Sequence, residues 1–172
     1  MTLGLILLAL AAAPAVAGEL DSFAKHWRTG AEFSMAVAEA MPAESYNFAP
    51  NPEEMGFGML MIHYAQYNNM GFANASGLKA PQTPEKITAA YKAKGPFDKA
   101  TVIQFLKDSF AFCDKAMSEI TQAKLDQVAG PEKRQAEGRE WLWRVYTHMI
   151  HHRGQAEVYL RVKDIKPPQY RF

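Results

Sequence analysis

The stretch WLWRVYTHMIHHRGQAEVYLRV, residues 141–162, reads as one long amphipathic helix and holds three of the chain's five histidines. Positions four apart on a helix lie about 40° apart around its axis, so His148 and His152 point the same way. That face also carries Trp141, Val145, Ala156 and Tyr159, which turns the pair toward a core rather than toward solvent. Two imidazoles at this spacing can share one divalent ion at Zn–N distances of about 2.0–2.1 Å. His151 falls roughly 80–100° away, on an edge with Arg144 and Gln155, where it suits a supporting or rim position. Arg153 reads either as a salt bridge on the helix flank or as a partner for an anionic substrate.

Working outward, the helix is expected from Glu132 to Val162, between Gly130-Pro131 and Pro167-Pro168. Three more stretches carry helical periodicity. The first runs from Glu19 to Met41, with Phe23, Trp27, Ala31, Ser34, Ala38 and Met41 at three- and four-residue steps and Pro42 as its stop. The second is expected from Pro52 to Ala75, with Asn51 as cap and Glu53 and Glu54 in the first turn. Its inward stripe would be Met55, Met59, Ile62, His63, Gln66 and Met70. The third spans Asp98 to Lys124. Between the second and third lies a long Pro- and Gly-containing connection with room for one short helix at Glu85–Lys92. No strand-like alternation of useful length is present. The pattern predicts an all-α four-helix bundle, whose core is a usual place for a metal site.

Two ligands make a weak site, and His63 is the natural third because it sits on the apolar stripe of the second helix. Three neutral imidazoles plus a water would form an open, catalytic-type centre. A histidine on an apolar face also reads as a hydrogen-bonded core residue, and spacing alone leaves both readings open. Gln66, Tyr67, Met70 and Trp27 could line a pocket mouth or simply pack the bundle. Met149 stands where a zinc peptidase helix would carry its general-base glutamate, which excludes peptide hydrolysis by that mechanism. His26 reads as a surface residue.

The formal net charge is +1, from 19 basic and 18 acidic side chains, with no basic block or stripe. Nucleic acid is therefore not an expected partner; a small molecule is. Cys113 is the only cysteine, so neither an intrachain disulfide nor a cysteine-based zinc site can form. Within its apolar helical pattern it reads as a buried, inert thiol.

Residues 1–17 stand apart. Leu3 to Ala17 is uncharged, and Ala15-Val16-Ala17 has the small-x-small pattern that signal peptidase cuts after. A helix of about 15 residues spans roughly 22 Å, short of the ~30 Å hydrocarbon core, so no stable membrane anchor is expected. The reading is a signal peptide over 1–17, a domain over 18–172, and export to the periplasm or medium. The missing basic residue ahead of the apolar run leaves a cytoplasmic protein with a buried N-terminal helix as the alternative.

His148-x-x-His151-His152-Arg153-Gly154-Gln155, with Tyr159-Leu160-Arg161 and Pro167-Pro168 beyond it, resembles the C-terminal signature of the DinB-like superfamily. Met59-Leu60-Met61-Ile62-His63 resembles its second-helix motif. The resemblance implies an antiparallel four-helix bundle with a long connection between the second and third helices. It also implies a zinc, nickel or similar ion on a histidine triad that maps onto His63, His148 and His152. The function it implies is metal-dependent hydrolysis or thiol transfer with a metal-bound water or thiolate as nucleophile. The alternative is a non-catalytic, stress-related metal-binding bundle. Many bundles of this type pair as homodimers.

Overall fold

The computed structural model describes residues 13–171, the side chains from Gly18 onward. Four long helices form the bundle: α1 (Ala13–Ala40), α2 (Phe57–Ser76), α4 (Lys99–Ser118) and α6 (Gly138–Val162). Two short helices lie in the connections, α3 (Glu85–Lys92) and α5 (Gln122–Asp126). A two-residue antiparallel pair, β1 (Val128–Ala129) and β2 (Ala136–Glu137), precedes α6. The leader assigned to residues 1–17 lies outside the described residues up to position 12, and α1 begins within it at Ala13. No helix among the described residues is long and apolar enough to cross a membrane.

Each helix pairs with two neighbours: α2 with α4 and α6, and α1 with the same two. Contacts along the axes give the directions. Trp27 meets Phe110 while Lys99 reaches the carbonyls of Glu39 and Met41, so α1 and α4 are antiparallel. Phe57 meets Tyr159 and Tyr67 meets His148, so α2 and α6 are antiparallel as well. Phe23 meets Trp143 and Arg153 lies over Phe33, so α1 and α6 run parallel. Gly58 abuts Phe97 and Ser109 bonds to Ala65, so α2 and α4 also run parallel. A parallel pair of consecutive helices forces the chain back along a helix of about 30 Å. That return is the long connection expected from sequence, and α3 lies within it over the residues expected, Glu85–Lys92.

Besides the start of α1, at Ala13 rather than Glu19, three boundaries differ from expectation. The second helix starts at Phe57 rather than Pro52. Asn51 accepts from the Glu53 amide at 2.9 Å, which makes a local turn instead of a cap. The first amides of α2 are satisfied at long range: Phe57 N donates to Phe48 O at 2.9 Å and Gly58 N to Tyr46 O at 2.7 Å. The third helix stops at Ser118, because extended Thr121 starts α5 as its cap. The last helix starts at Gly138, where an added Cβ would lie 2.3 Å from Lys124 O. The inward stripe of α2 is also broader than expected. Leu60, Met61, Tyr64, Ala65, Asn68 and Phe72 are buried with Ile62, while Met59, His63, Gln66 and Met70 are only half-buried. Packing between two helices leaves α2 no solvent face.

His63, Tyr67 and Gly71 recur every four residues along α2 and meet α6. At Gly71 the two helices approach closely: a Cβ there would sit 2.1 Å from Val145 Cγ1. Val145 is β-branched and fully buried, so it cannot swing aside. Gly71→Ala should therefore lower stability. Overpacking of about 1–3 kcal/mol outweighs the roughly 1 kcal/mol that alanine gains over glycine in a helix. Urea unfolding followed by circular dichroism should show a lower midpoint; an unchanged or higher midpoint would mean that the helices separate at no cost.

Candidate metal centre

The antiparallel α2/α6 contact brings His63 against His148 and His152. Their ring centroids are 5.0 and 4.8 Å from that of His63 and 4.4 Å from each other. One ring nitrogen from each lies within 4.8 Å of the others. Nε2 of His148 and Nε2 of His152 are 3.1 Å apart. Two nitrogen lone pairs at that distance repel unless a proton or a cation lies between them. The edges of a tetrahedral zinc site with bonds of about 2.0–2.1 Å are about 3.3–3.4 Å long, so the spacing suits one shared ion.

The surroundings hold the imidazoles neutral and oriented. Gln155 Oε1 lies 2.7 Å from His152 Nδ1. An amide oxygen only accepts, so Nδ1 of His152 carries the proton and Nε2 is left with its lone pair. His63 Nδ1 lies 3.0 Å from Tyr91 Oη, on α3. Tyr67 stacks on His148 with centroids 4.1 Å apart and planes at 26°. His148 Nδ1 is buried and finds no hydrogen-bond partner among the described residues. Burial pushes His63 down from the ordinary histidine range. Burial also lowers His152, partly offset by the Gln155 hydrogen bond and reinforced by the charges of His63 and His151. Burial is the main cause for His148 too; with the charges of His152, His63 and His151 it holds this imidazole to about 3. Neutral imidazoles are the form a metal ion requires.

The other residues singled out from sequence are dispersed. His151 is exposed, its ring 4.9 Å from that of His152, at the rim as expected. Gln66 Nε2 donates to Thr83 Oγ1 at 3.3 Å and so ties the crossover to α2. Arg153 makes the expected ion pair along its own helix, with Glu157, but from a buried position rather than an open flank. Its guanidinium lies 4.5 Å over the Phe33 ring and 6.0 Å from Tyr170, and its Nε is 3.6 Å from Glu157. One residue past His152 the helix has turned by about 100°, which takes Arg153 from the triad to α1. Sequence reasoning missed Tyr91, which comes from the crossover with no periodic signal to announce it. Gln155 reads from sequence as an edge residue beside His151, although it sits about one turn beyond His152 and reaches back to its ring.

Residues 26–156 match the model of the DinB superfamily, and the chain belongs to that family. No curated protein sequence matches it. A DinB-like protein from Bacillus cereus has the same fold at a TM-score of 0.71 and 20% identity, over 88% of this chain and 97% of that one. A DinB-like protein from Bacillus subtilis superposes at 0.66 and 17% identity, over 87% and 96%. A mycothiol-dependent maleylpyruvate isomerase superposes at 0.63 and 18% identity, over 83% of this chain and 66% of that one. At these identities the likeness is one of fold.

Two outcomes follow from the geometry. In the metal-free protein the unfolded imidazoles protonate near 6.5, whereas folded His148 stays neutral down to about 3. The unfolded state then binds more protons across that window, so stability falls as pH falls from about 7 toward 4. Thermal melts across this range should show a shallower pH slope for His148→Ala; an equal slope would show that the triad is already solvated. Arg153→Ala should lower stability by about 1–3 kcal/mol and leave metal uptake unchanged, as melts and metal analysis of that variant would show.

Proposed function

We propose that His63, His148 and His152 hold one divalent metal ion, zinc or nickel, and that the protein is an enzyme acting on a small molecule. The observation that carries this is the 3.1 Å approach of two Nε2 atoms beside a third imidazole from another helix. No aspartate, glutamate or cysteine among the described residues joins the cluster. Three imidazoles without a fourth protein donor are the pattern of catalytic sites rather than closed structural ones. When bound, the ion would supply a Lewis acid able to ionise a thiol or a water near neutral pH.

The chain's own side chains favour thiol transfer over hydrolysis. Hydrolysis commonly draws on a carboxylate beside the nucleophile, and none among the described residues joins the triad, whose neighbours are the phenols of Tyr67 and Tyr91, the Gln155 amide and the exposed ring of His151. A low-molecular-weight thiol, acidic enough to ionise on binding, needs no such base. The structural likeness to an enzyme named for its thiol dependence supports the same reading. Hydrolysis is the second reading, which goes with the export expected from residues 1–17: an exported protein would meet few such thiols.

The test is elemental analysis of the purified protein by inductively coupled plasma mass spectrometry, beside His63→Ala and His148→Ala. About one ion per chain, lost in both variants, is expected. No uptake after incubation with zinc or nickel would sink the reading. In the cobalt-loaded protein, a low-molecular-weight thiol should add a sulfur-to-cobalt charge-transfer band. A metal-loaded protein that shows no such band would shift the assignment to hydrolysis.

A further inference from the structure

Helix α3 is held to the bundle lightly. Of its eight residues only Ile87 is buried, in the same apolar cluster as Ile62, Phe97 and Val102. The segment around it is tied at both ends. Gln66 bonds to Thr83 before the helix. After it, Asn47 accepts from Phe97 N at 2.7 Å through Oδ1 and donates to Phe97 O at 3.3 Å through Nδ2. Between these ties the polar link from α3 to α2 is Tyr91 Oη at 3.0 Å from His63 Nδ1.

The direction of that hydrogen bond decides what His63 can do. A neutral imidazole carries one proton. If Tyr91 donates to Nδ1, the proton stands on Nε2 and blocks it. If Nδ1–H donates to the phenol oxygen, Nε2 keeps its lone pair. His152 shows the second arrangement, because Gln155 Oε1 can only accept. A metal ion shared by Nε2 atoms requires it of His63 as well.

We propose that Tyr91 is a positioning residue for the metal centre. Its phenol oxygen accepts the Nδ1 proton of His63 and so holds the ligating tautomer and the ring angle. Its own hydroxyl proton remains directed away from the imidazole. The crossover between two parallel helices thus supplies the outer partner of a ligand that α2 alone leaves free to rotate. This rests on the metal-binding reading above. Outer partners of ligating histidines commonly account for about 10–100-fold in metal affinity.

The test uses the full chain with zinc alone, titrated against a chromophoric chelator, for wild type and Tyr91→Phe. The variant should bind the same number of ions about 10–100-fold more weakly, with an unchanged thermal melt in the metal-free state. Imidazole 15N resonances of the metal-free wild type should show His63 protonated on Nδ1, and Tyr91→Phe should move that population toward Nε2. Wild-type binding with equal affinity in Tyr91→Phe would overturn the positioning role alone. So would a wild-type His63 already protonated on Nε2, a result that does not depend on how the variant folds. A wild type that takes up no zinc would overturn the metal reading and this inference together.

Discussion

The close approach of α2 and α6 is the constraint on which the site depends. Gly71 and Val145 set the separation of the two helices, and His63 and His148 lie one to two turns further along the same seam. A side chain at position 71 would force the axes apart or tilt them. Either movement would carry His63 away from a pair of imidazoles that a single helix already holds together. The tolerance is small, because metal–nitrogen bonds vary by only about 0.1–0.2 Å, whereas one methyl group in a helix interface displaces backbone by more than that. Dense packing at one end of the seam is thus what makes coordination possible at the other.

The order of the helices carries a second consequence. Because α2 and α4 run the same way, the chain must return along the bundle between them. The return is more than a spacer: it lays α3 beside the triad and places a phenol against His63. Asn47, far away in the first connection, grips the backbone of Phe97 at the end of this segment. The two connections therefore brace each other, and the outer surroundings of one ligand are built from residues that belong to neither ligand-bearing helix.

Within the densest motif of the sequence, neighbouring residues serve different parts of the molecule. His148 and His152 face α2, Gln155 turns back to the ring of His152, and Arg153 faces α1 beneath Tyr170. A helix makes this division obligatory, since each step rotates by about 100°. The arginine secures the last helix against the first and the C-terminal segment. Its apolar stem and planar head suit a ring-lined, nearly dry position.

Much of this was legible in the residues themselves. Spacing of three and four identified four helices, and His148 with His152 on an inward face identified a pair that a third histidine could complete. Residues 85–92 announced a short helix inside the crossover. These are local properties: periodicity and proline or glycine breaks act within a few residues of chain. What the sequence could not determine depends on long-range partners. The true start of α2 is set by carbonyls of Tyr46 and Phe48, which outcompete the local cap at Asn51. The parallel pairing of α2 and α4, the burial of Arg153 and the arrival of Tyr91 at His63 are likewise contacts across the fold. Hydrogen bonds and close packing between distant residues leave no periodic trace in the chain, so only the tertiary structure decided them.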